Sequence, residues 1–420
     1  MGIWTLTRYE LKKALGGRFF LIVLCLLLAV DFVMLCGVRE WFAMQQSYED
    51  GTAIAEALSP EEKTFFGFLG TARRVTNLLR EEYVVLNALT NEERAEFEKT
   101  MKEKYGETVF DEFVIPTDEM LSLPGYLGEK LSDFTAVHLY STLRQANWEN
   151  EKLFTNVIEA AKAFGREALQ EGNDYEVRRN LRIIQLYSLP RGEITSEKRT
   201  WDAFLFDSPG MLFVFLMVLL SSAGIFTKEN EQQTWLLLHT AKNGKGKTLA
   251  AKYLAAAISA AGLTVLFQLT TLGSIYFGSG LLGTDQPLTV IEELKLCPFP
   301  MKVWQYALLA LGCQVFAAVV VSLLISTVSA LSKSSVISYA VGALLMGGSV
   351  LLLYYSPRSE WLAGPLALAQ PLRYFESFYT VNIFGFPVLW VVVQVVLWSI
   401  LTVGGIYISH KVYHRKRSAL

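Results

Sequence analysis

Residues 19–38 read FFLIVLCLLLAVDFVMLCGV, and this stretch decides the class of the fold. An apolar helix needs about 20 residues to cross about 30 Å of hydrocarbon, and this run has that length with Asp31 as its one charged residue. The apolar core of a cleaved signal peptide is shorter, roughly 7 to 15 residues. The stretch therefore predicts a retained transmembrane helix, although basic residues precede it as they do in a signal peptide.

Other apolar runs of bilayer length follow along the chain, at 209–227, 249–277, 303–326, 336–355 and 387–409. Pro209 and Pro387 are each interpreted as a first-turn proline, a position at which the missing N–H costs nothing. Hydrophobic residues make up 52% of the 420-residue chain and charged residues only 19%. The predicted fold class is an all-α membrane protein with six transmembrane helices.

The basic residues outside the spans predict the orientation. Lys295, Lys302, Arg358 and Arg373 fall on one side of the membrane. The other side, which includes both termini and a basic tail at 410–420, holds Arg8, Lys12, Lys13, Arg18, Lys228, Lys242, Lys245, Lys247, Lys252, Lys333, Lys411, Arg415, Lys416 and Arg417. Short cytoplasmic loops carry the excess of Lys and Arg, so we expect a multi-pass protein of the bacterial cytoplasmic membrane with both termini in the cytoplasm.

The segment 39–208 between the first two spans is predicted to be a mainly α-helical extracytoplasmic domain. Apolar residues recur at helical spacing in 68–86 and again from Phe154 to Ala168, and Thr90 with Glu93 has the spacing of a capping box. A loop is expected at 189–192, and the absence of cysteine excludes a disulfide-stapled domain. From Arg39 to Asp207 there are 20 Lys/Arg and 31 Asp/Glu, a net charge of −11 that suits either cationic ligands or simply a solvated surface.

The segment 241–248, AKNGKGKT, resembles a phosphate-binding loop except that Ala241 replaces the first glycine. Such a loop needs a soluble helix after it, whereas a bilayer-length apolar run follows here, so we interpret the segment as a basic loop at the membrane surface. The four histidines show no metal-ligand spacing, and no nucleophile elbow is present. The sequence predicts no catalytic residues, no metal site and no enzymatic activity in this chain.

Four polar residues inside the predicted spans are candidates for a translocation path. A carboxylate within a span is a functional candidate by default, although Asp31 also lies near enough to Val38 to reach the interface. The three glutamines fit either such a path or hydrogen bonds between helices. The candidate path comprises Asp31, Gln268, Gln314 and Gln394.

Two segments on the basic side have a pattern of their own. Residues 1–18 predict an amphipathic helix lying along the membrane, with Trp4, Leu11 and Leu15 on its apolar face. Residues 228–248 predict a short helix, polar and then apolar, followed by the basic loop. Because the short helix cannot span the bilayer, its leucines are expected to pack against a partner or the membrane surface.

At these residues the chain resembles the type-2 family of ATP-binding-cassette (ABC) exporter permeases. The resemblance rests on 9–15, YELKKAL, as the connecting helix, on 226–252 as a coupling helix with its basic loop, and on Ala251-Lys252 at the start of the third span. It covers the six-span frame but not the insert, which is larger than the simplest members carry.

The resemblance implies that this chain pairs with a second permease subunit, as a homodimer or heterodimer, and docks on a separate ABC ATPase subunit. ATP and Mg²⁺ would bind to that partner, with no cofactor in this chain and no nucleic-acid partner. The residues implied in ATPase coupling are Glu229, Glu231, Gln232, Thr234, Leu237 and His239. The substrate class, whether peptide, antibiotic, lipid or ion, stays open.

Two other functions compete with the exporter permease. A membrane-anchored sensor or receptor would use the acidic domain 39–208 to bind a ligand and would need no coupling helix. A secondary transporter or channel fits less well, because no inverted repeat and no charged residues at corresponding mid-membrane positions are found.

Overall fold

The computed structural model describes residues 2–36, 64, 90–105, 133–194, 205, 210–231, 246–279, 283–355 and 364–415. Within these ranges the chain is an all-α membrane protein with one short β-hairpin. The helices are α1 Ile3–Leu15, α2 Arg18–Leu35, α3 Asn91–Tyr105, α4 Asp133–Gln170, α5 Asp174–Tyr187, α6 Gly210–Ser222, α7 Thr227–Glu231, α8 Gly246–Ser279, α9 Val303–Leu331, α10 Ser335–Tyr355, α11 Leu372–Phe375 and α12 Trp390–Arg415. The hairpin strands are β1 Thr380–Ile383 and β2 Phe386–Leu389.

Among the described residues, six helical segments are long and apolar enough to cross a membrane, as the sequence predicts. The apolar segments are Arg18–Leu35, Gly210–Glu229, Gly246–Phe277, Val303–Leu331, Ser335–Leu352 and Trp390–Val412. The helices α2, α6, α8, α9, α10 and α12 that form them are here named spans 1 to 6. Span 2 is 72% buried inside the protein, whereas spans 1 and 6 are each only 11% buried. Span 2 therefore lies at the centre of the bundle, and spans 1 and 6 leave most of their apolar surface for lipid or another chain.

The spans alternate in direction across the bundle. The starts of spans 3 and 5 lie with α1 and the ends of spans 2 and 6, as the contacts of Lys252 with Glu10, of Glu231 with Ser335 and of Tyr253 with Ser409 show. We call this the basic end. The opposite end, where the loops 283–302 and 364–389 meet α4 and α5, is the insert end.

Small residues let the central spans approach one another closely. Span 3 turns Ala255, Ala256 and Ala260 inward, all with almost no exposed surface. Gly342 of span 5 lies so close to span 2 that an added Cβ would come within 2.5 Å of Leu219 Cδ1. Hydroxyl groups add bonds between helices, for example Ser222 with Ser322 at 2.8 Å between their Oγ atoms. Small residues and interhelical hydroxyl bonds are the usual means by which helices associate in lipid.

Span 6 differs from its predicted start. Pro387 is not a first-turn residue, because it lies in β2 opposite Asn382, and the helix begins only at Trp390. Edge strands tolerate proline, and the alternation of Val381, Ile383, Phe386 and Val388 fits a short strand pair as well as a helix turn. The prediction of a helix from 387 is therefore wrong by three residues.

The connection between spans 5 and 6 is more than a short loop. A 3₁₀ segment, Gly364–Ala369, is buried at every residue and packs against span 4 and span 5. Gly364 has a φ of 71°, and an added Cβ would lie 2.9 Å from Ser349 Oγ, so only glycine fits there. Pro365 is the second residue of this segment and Pro371 lies two residues after its end, and Pro371 disfavours the helical conformation at Gln370.

The described parts of the 39–208 insert are helical, as predicted. Thr90 and Glu93 form the predicted capping box, with Glu93 N donating to Thr90 Oγ1 at 3.3 Å and Thr90 N donating to Glu93 Oε2 at 2.8 Å. The loop predicted at 189–192 is confirmed, since α5 ends at Tyr187. On α4, Ala161 and Ala168 are buried while Phe164 is 60% exposed, so the predicted apolar face is only partly covered. The predicted helix at 68–86 lies outside the described residues.

Candidate functional site: a buried ion cluster at the basic end

Charged side chains are rarely buried in the part of the chain that the structure describes. Those with less than a tenth of their surface exposed are Glu10, Asp31, Glu229 and Lys252. Three of them meet at one point at the basic end, although they come from α1, α7 and span 3. A buried charge is costly unless an opposite charge and hydrogen bonds compensate it, so this meeting point is the strongest candidate for a functional site.

Lys252 is the centre of the cluster. Its Nζ lies 2.7 Å from Glu229 Oε1 and 3.4 Å from Glu10 Oε2, and it donates to the carbonyl oxygen of Ile225 at 2.6 Å. The Lys252 side chain has no exposed surface. Its ammonium also lies 5.2 Å from the centre of the Phe226 ring, within the range of a cation–π contact. All three hydrogens of the ammonium can therefore be used.

Glu229 carries a second ammonium on the same oxygen. Lys13 Nζ of α1 lies 2.9 Å from Glu229 Oε1, with the Lys13 side chain 36% exposed. Partial burial works against the charge of Lys13, but the hydrogen bond to Glu229 and the charges of Glu229 and Glu10 outweigh it. The pKa of Lys13 is therefore raised above its ordinary value. Two carboxylates and two ammonium groups balance, so the cluster carries no net charge.

The short helix α7 is bonded to two further spans. Ser329 Oγ of span 4 accepts from the backbone N–H of Phe226 at 3.2 Å and of Thr227 at 3.3 Å. Glu231 Oε1 accepts from the backbone N–H of Ser335 at 2.7 Å, where span 5 begins. This bond holds the pKa of Glu231 below its ordinary range. A carboxylate also suits the positive end of the span 5 helix dipole.

Five elements of the bundle thus meet at the five-residue helix α7. α7 is bonded to α1 and span 3 through Glu229, to span 4 at its first residue, and to span 5 through Glu231. It also continues span 2, from which a four-residue turn separates it. A displacement of α7 would therefore be passed to four spans and α1 at once.

The predicted coupling residues are only partly within the described chain. Glu229 and Glu231 lie on α7 with the partners given above, whereas Gln232, Thr234, Leu237 and His239 lie outside the described residues. Lys252 was assigned by the sequence only to the start of span 3 and to the basic side. A lysine at the start of an apolar run and a glutamate on an otherwise basic helix were the signals that could have paired it with Glu10.

The helix predicted at 1–18 forms α1, and one of its faces packs on the bundle. α1 packs against span 3 with Thr7 and Glu10 buried, and Leu11 and Leu15 are only half-buried. Trp4 is 66% exposed, which leaves its ring uncovered for the predicted contact with the membrane surface. The ion cluster, which periodicity of apolar residues cannot reveal, determines which face of α1 meets the bundle.

The four polar residues of the candidate path do not form one cluster. Asp31 is fully buried and accepts a hydrogen bond from Thr271 Oγ1 at 3.0 Å, and Gln268 is buried one turn away from Thr271 on span 3. Gln394 is buried and its Oε1 accepts from Trp398 Nε1 of its own helix at 2.9 Å. Gln314 is half-buried on span 4. Asp31 and Gln268 therefore share one interface, between spans 1 and 3, and the other two lie on other spans.

No three His, Cys, Asp or Glu side chains come together as metal ligands anywhere in the described ranges. Scans of this chain against protein-family models, against curated proteins and against solved structures find no match. The class that fold and site define is thus a multi-pass, all-α membrane protein with a charge-balanced junction at one end of its bundle.

Proposed function

We propose that this chain is the membrane-spanning permease subunit of an ABC exporter, with α7 and the residues after it as the element that a separate ATPase moves. The observation that carries the proposal is the buried bond between Lys252 and Glu229, together with Glu10, because it ties the short helix after span 2 to α1 and to span 3. An element that receives force from a partner needs stiff connections to the spans that must move.

The surroundings of α7 support this assignment in a second way. Residues 232–245 follow α7 directly and combine Trp235, three leucines and two lysines, a composition suited to a docking surface outside the bilayer. The basic end would face the cytoplasm, where the positive-inside rule places it and where ATP is available. On this proposal the protein lies in a bacterial cytoplasmic membrane with both termini inside.

The work of transport would be shared between chains. The partner ATPase would bind ATP and Mg²⁺ and would close when ATP binds. A second permease subunit would complete the translocation path. Closure would displace α7, and the ion cluster would pass that displacement to α1 and span 3 as a rigid-body movement. The insert would lie outside the cell, and the substrate, whether peptide, antibiotic, lipid or ion, is left unassigned.

Co-purification tests the proposal. The tagged chain is expressed with its genomic neighbours in membranes and purified in mild detergent, and an ATPase subunit should be recovered with it. Leu237→Asp should abolish recovery of the ATPase because it places a charge in the proposed docking surface. Lys247→Asp at the exposed start of span 3 is the control and should leave recovery unchanged.

Two results would contradict the proposal. Absence of any ATPase from the purified wild-type chain would favour the sensor hypothesis, in which the acidic insert binds a ligand and no ATPase is required. Equal recovery of the ATPase with the Leu237→Asp chain would remove the docking role of residues 232–239.

A further inference from the structure

The hairpin between α11 and span 6 exposes aromatic side chains at the insert end. Its turn reads Ile383-Phe384-Gly385-Phe386, with Phe384 97% exposed, Phe386 58% exposed and Ile383 37% exposed. Residues 380–389 contain no charged side chain. An aromatic ring that is almost wholly uncovered by its own protein, on a hairpin without charge, is a candidate for contact with something else.

The backbone of this turn makes Phe384 an unusual choice. Phe384 has a φ of 52° and Gly385 a φ of 83°, so both central residues of the two-residue turn have positive φ. Hairpin turns of this kind favour Asn, Asp or Gly at the first position, whereas a bulky residue there is strained. Gly385 N donates to Asn382 Oδ1 at 2.8 Å, which holds the turn in this form. Strain at an exposed aromatic residue points to a function rather than to folding.

The hairpin is held in place by α5. Tyr175 OH donates to the carbonyl oxygen of Thr380 at 3.2 Å. The Arg178 guanidinium lies 4.3 Å from the centre of the Phe386 ring, and its Nη1 is 3.5 Å from the carbonyl oxygen of Gly385. Arg178 itself is exposed. The turn is thus presented on a fixed support, with a cation beside its aromatic rings.

The position of the hairpin indicates what it meets. β2 leads directly into span 6 at Trp390, and four-residue strands with a rise of about 3.3 Å per residue keep the turn within roughly 13 Å of the start of that span. If the hydrocarbon core begins where span 6 begins, the headgroup layer extends outward from that level for roughly 5 to 8 Å. The exposed apolar surface continues along span 6 through Val392, Val396 and Ile400, which face outward.

We propose that the Phe384 turn is a membrane anchor, which places the Phe384 and Phe386 rings in the headgroup layer beside span 6. Aromatic rings favour this layer because one part of it is apolar and another part is hydrated. Arg178, stacked on Phe386, then lies where its guanidinium meets lipid phosphate. Through Arg178 and Tyr175 the anchor also fixes the orientation of the insert relative to the bilayer surface.

Photocrosslinking in lipid nanodiscs tests the anchor with the full chain. Benzoylphenylalanine replaces Phe384 in one variant and the exposed Glu171, in the turn between α4 and α5, in the control. The nanodiscs contain phosphatidylethanolamine and phosphatidylglycerol, and adducts are identified by mass spectrometry after irradiation. Burial of an aromatic side chain is favourable enough that lipid adducts at 384 should exceed those at 171 about tenfold.

Either of two outcomes would overturn the anchor. Equal amounts of lipid adduct at 384 and 171 would show that the turn stands in water. Adducts at 384 to a second copy of this chain, in place of lipid, would show that the turn is a contact between subunits.

A second variant separates the ring from the fold. Phe384→Asn suits the positive φ of the turn, so its thermal unfolding midpoint in detergent should not fall. With benzoylphenylalanine at 386 as the reporter, lipid adducts should drop severalfold when Phe384 is replaced by Asn, because the more exposed of the two proposed anchoring rings is lost. An unchanged yield of adducts at 386 would mean that Phe384 does not anchor the hairpin.

Discussion

The two ends of the bundle are held together by different chemistry. At the basic end, Lys252, Glu229 and Glu10 bond charge to charge in a place from which solvent is excluded. At the insert end, Arg191 donates to two backbone carbonyl oxygens, that of Cys297 at 2.6 Å and that of Pro298 at 2.9 Å, and neither acceptor is a carboxylate. The first arrangement depends on every charge being present, whereas the second depends on one cation and on neutral backbone carbonyl groups that do not titrate.

The insert end has the form of a clamp between the insert and the loop 283–302. Besides its two hydrogen bonds, the Arg191 guanidinium lies 4.3 Å from the centre of the Phe154 ring and 5.1 Å from that of Tyr187. Tyr187 OH donates to the carbonyl oxygen of Leu296. These contacts attach α4 and α5 to the connection between spans 3 and 4. Spans 3 and 4 are thus fixed at both ends, to α7 at one and to the insert at the other.

The largest expected effect comes from removing the central charge of the basic end. Lys252→Met leaves Glu10 and Glu229 buried without that cation, which should lower the free energy of unfolding by about 3 to 5 kcal/mol. Lys247→Met, at the exposed start of the same helix, is the control and should change stability by less than about 0.5 kcal/mol. Denaturant unfolding in detergent micelles measures both. A loss below about 1 kcal/mol for Lys252→Met would mean that water reaches the cluster.

A smaller effect is expected from opening the clamp at the insert end. Arg191→Leu removes two charge-assisted hydrogen bonds and two ring contacts but leaves no buried charge behind, so the loss should be about 2 kcal/mol. Arg182→Leu, on the exposed side of α5, is the matched control and should have little effect. If Arg191→Leu cost as much as Lys252→Met in the same micelle experiment, the difference drawn between the two ends would be wrong.

Alkaline titration addresses the insert end selectively. Burial raises the pKa of Tyr187 from its ordinary 10.0 to about 12, with the nearby Arg191 acting in the opposite direction. Because the folded-state pKa is the higher one, the stabilisation is complete below pH 10.0 and is lost as the pH rises toward about 12. The tyrosinate absorbance of wild type minus Tyr187→Phe should therefore rise near pH 12. A rise near pH 10 would show that Tyr187 is solvated.

The smallest effect is expected where α7 meets span 5. Glu231→Gln weakens the bond to the Ser335 N–H and removes a charge at the start of a helix, and because Glu231 is exposed to solvent the loss of stability should be the smallest of the series. The lowered pKa of Glu231 means that its contribution is complete above the ordinary carboxyl pKa and disappears as the pH falls through the lowered value. The difference in stability between wild type and Glu231→Gln should therefore vanish in acid, and a difference that persisted there would have another origin.

The apolar runs predicted the architecture well because length and composition suffice to identify a span. All six spans and the alternation of their ends could be predicted on this basis. The Thr90 capping box could be predicted from the spacing of Thr90 and Glu93. The hairpin at 380–389 could not, because its few alternating residues and Pro387 match a helix start as well as a strand. The buried segment Gly364–Ala369 was also missed, because its place depends on span 4 and span 5 and not on its own pattern.

The site was predicted only in part for a related reason. Glu229 was selected for its position after span 2, but its partners Lys13 and Lys252 come from 216 and 23 residues away along the chain. Charge patterns assigned both lysines only to the basic side of the membrane, and the packing of α1 against span 3 brings them to one carboxylate. Pairing over such distances in sequence is a tertiary property that local spacing does not encode.

The most direct test of the central claim asks whether the ion cluster connects an ATPase to the spans. The triple variant Glu10→Gln, Glu229→Gln and Lys252→Met leaves Lys13, whose side chain is 36% exposed, as the one charge of the cluster. Well-packed neutral replacements of buried ion pairs often keep their fold. Purified with the associated ATPase and reconstituted in vesicles, it should bind the ATPase as wild type does and should lose the stimulation of ATP hydrolysis by the permease. Stimulation equal to that of wild type, in a folded triple variant with the ATPase bound, would contradict the account.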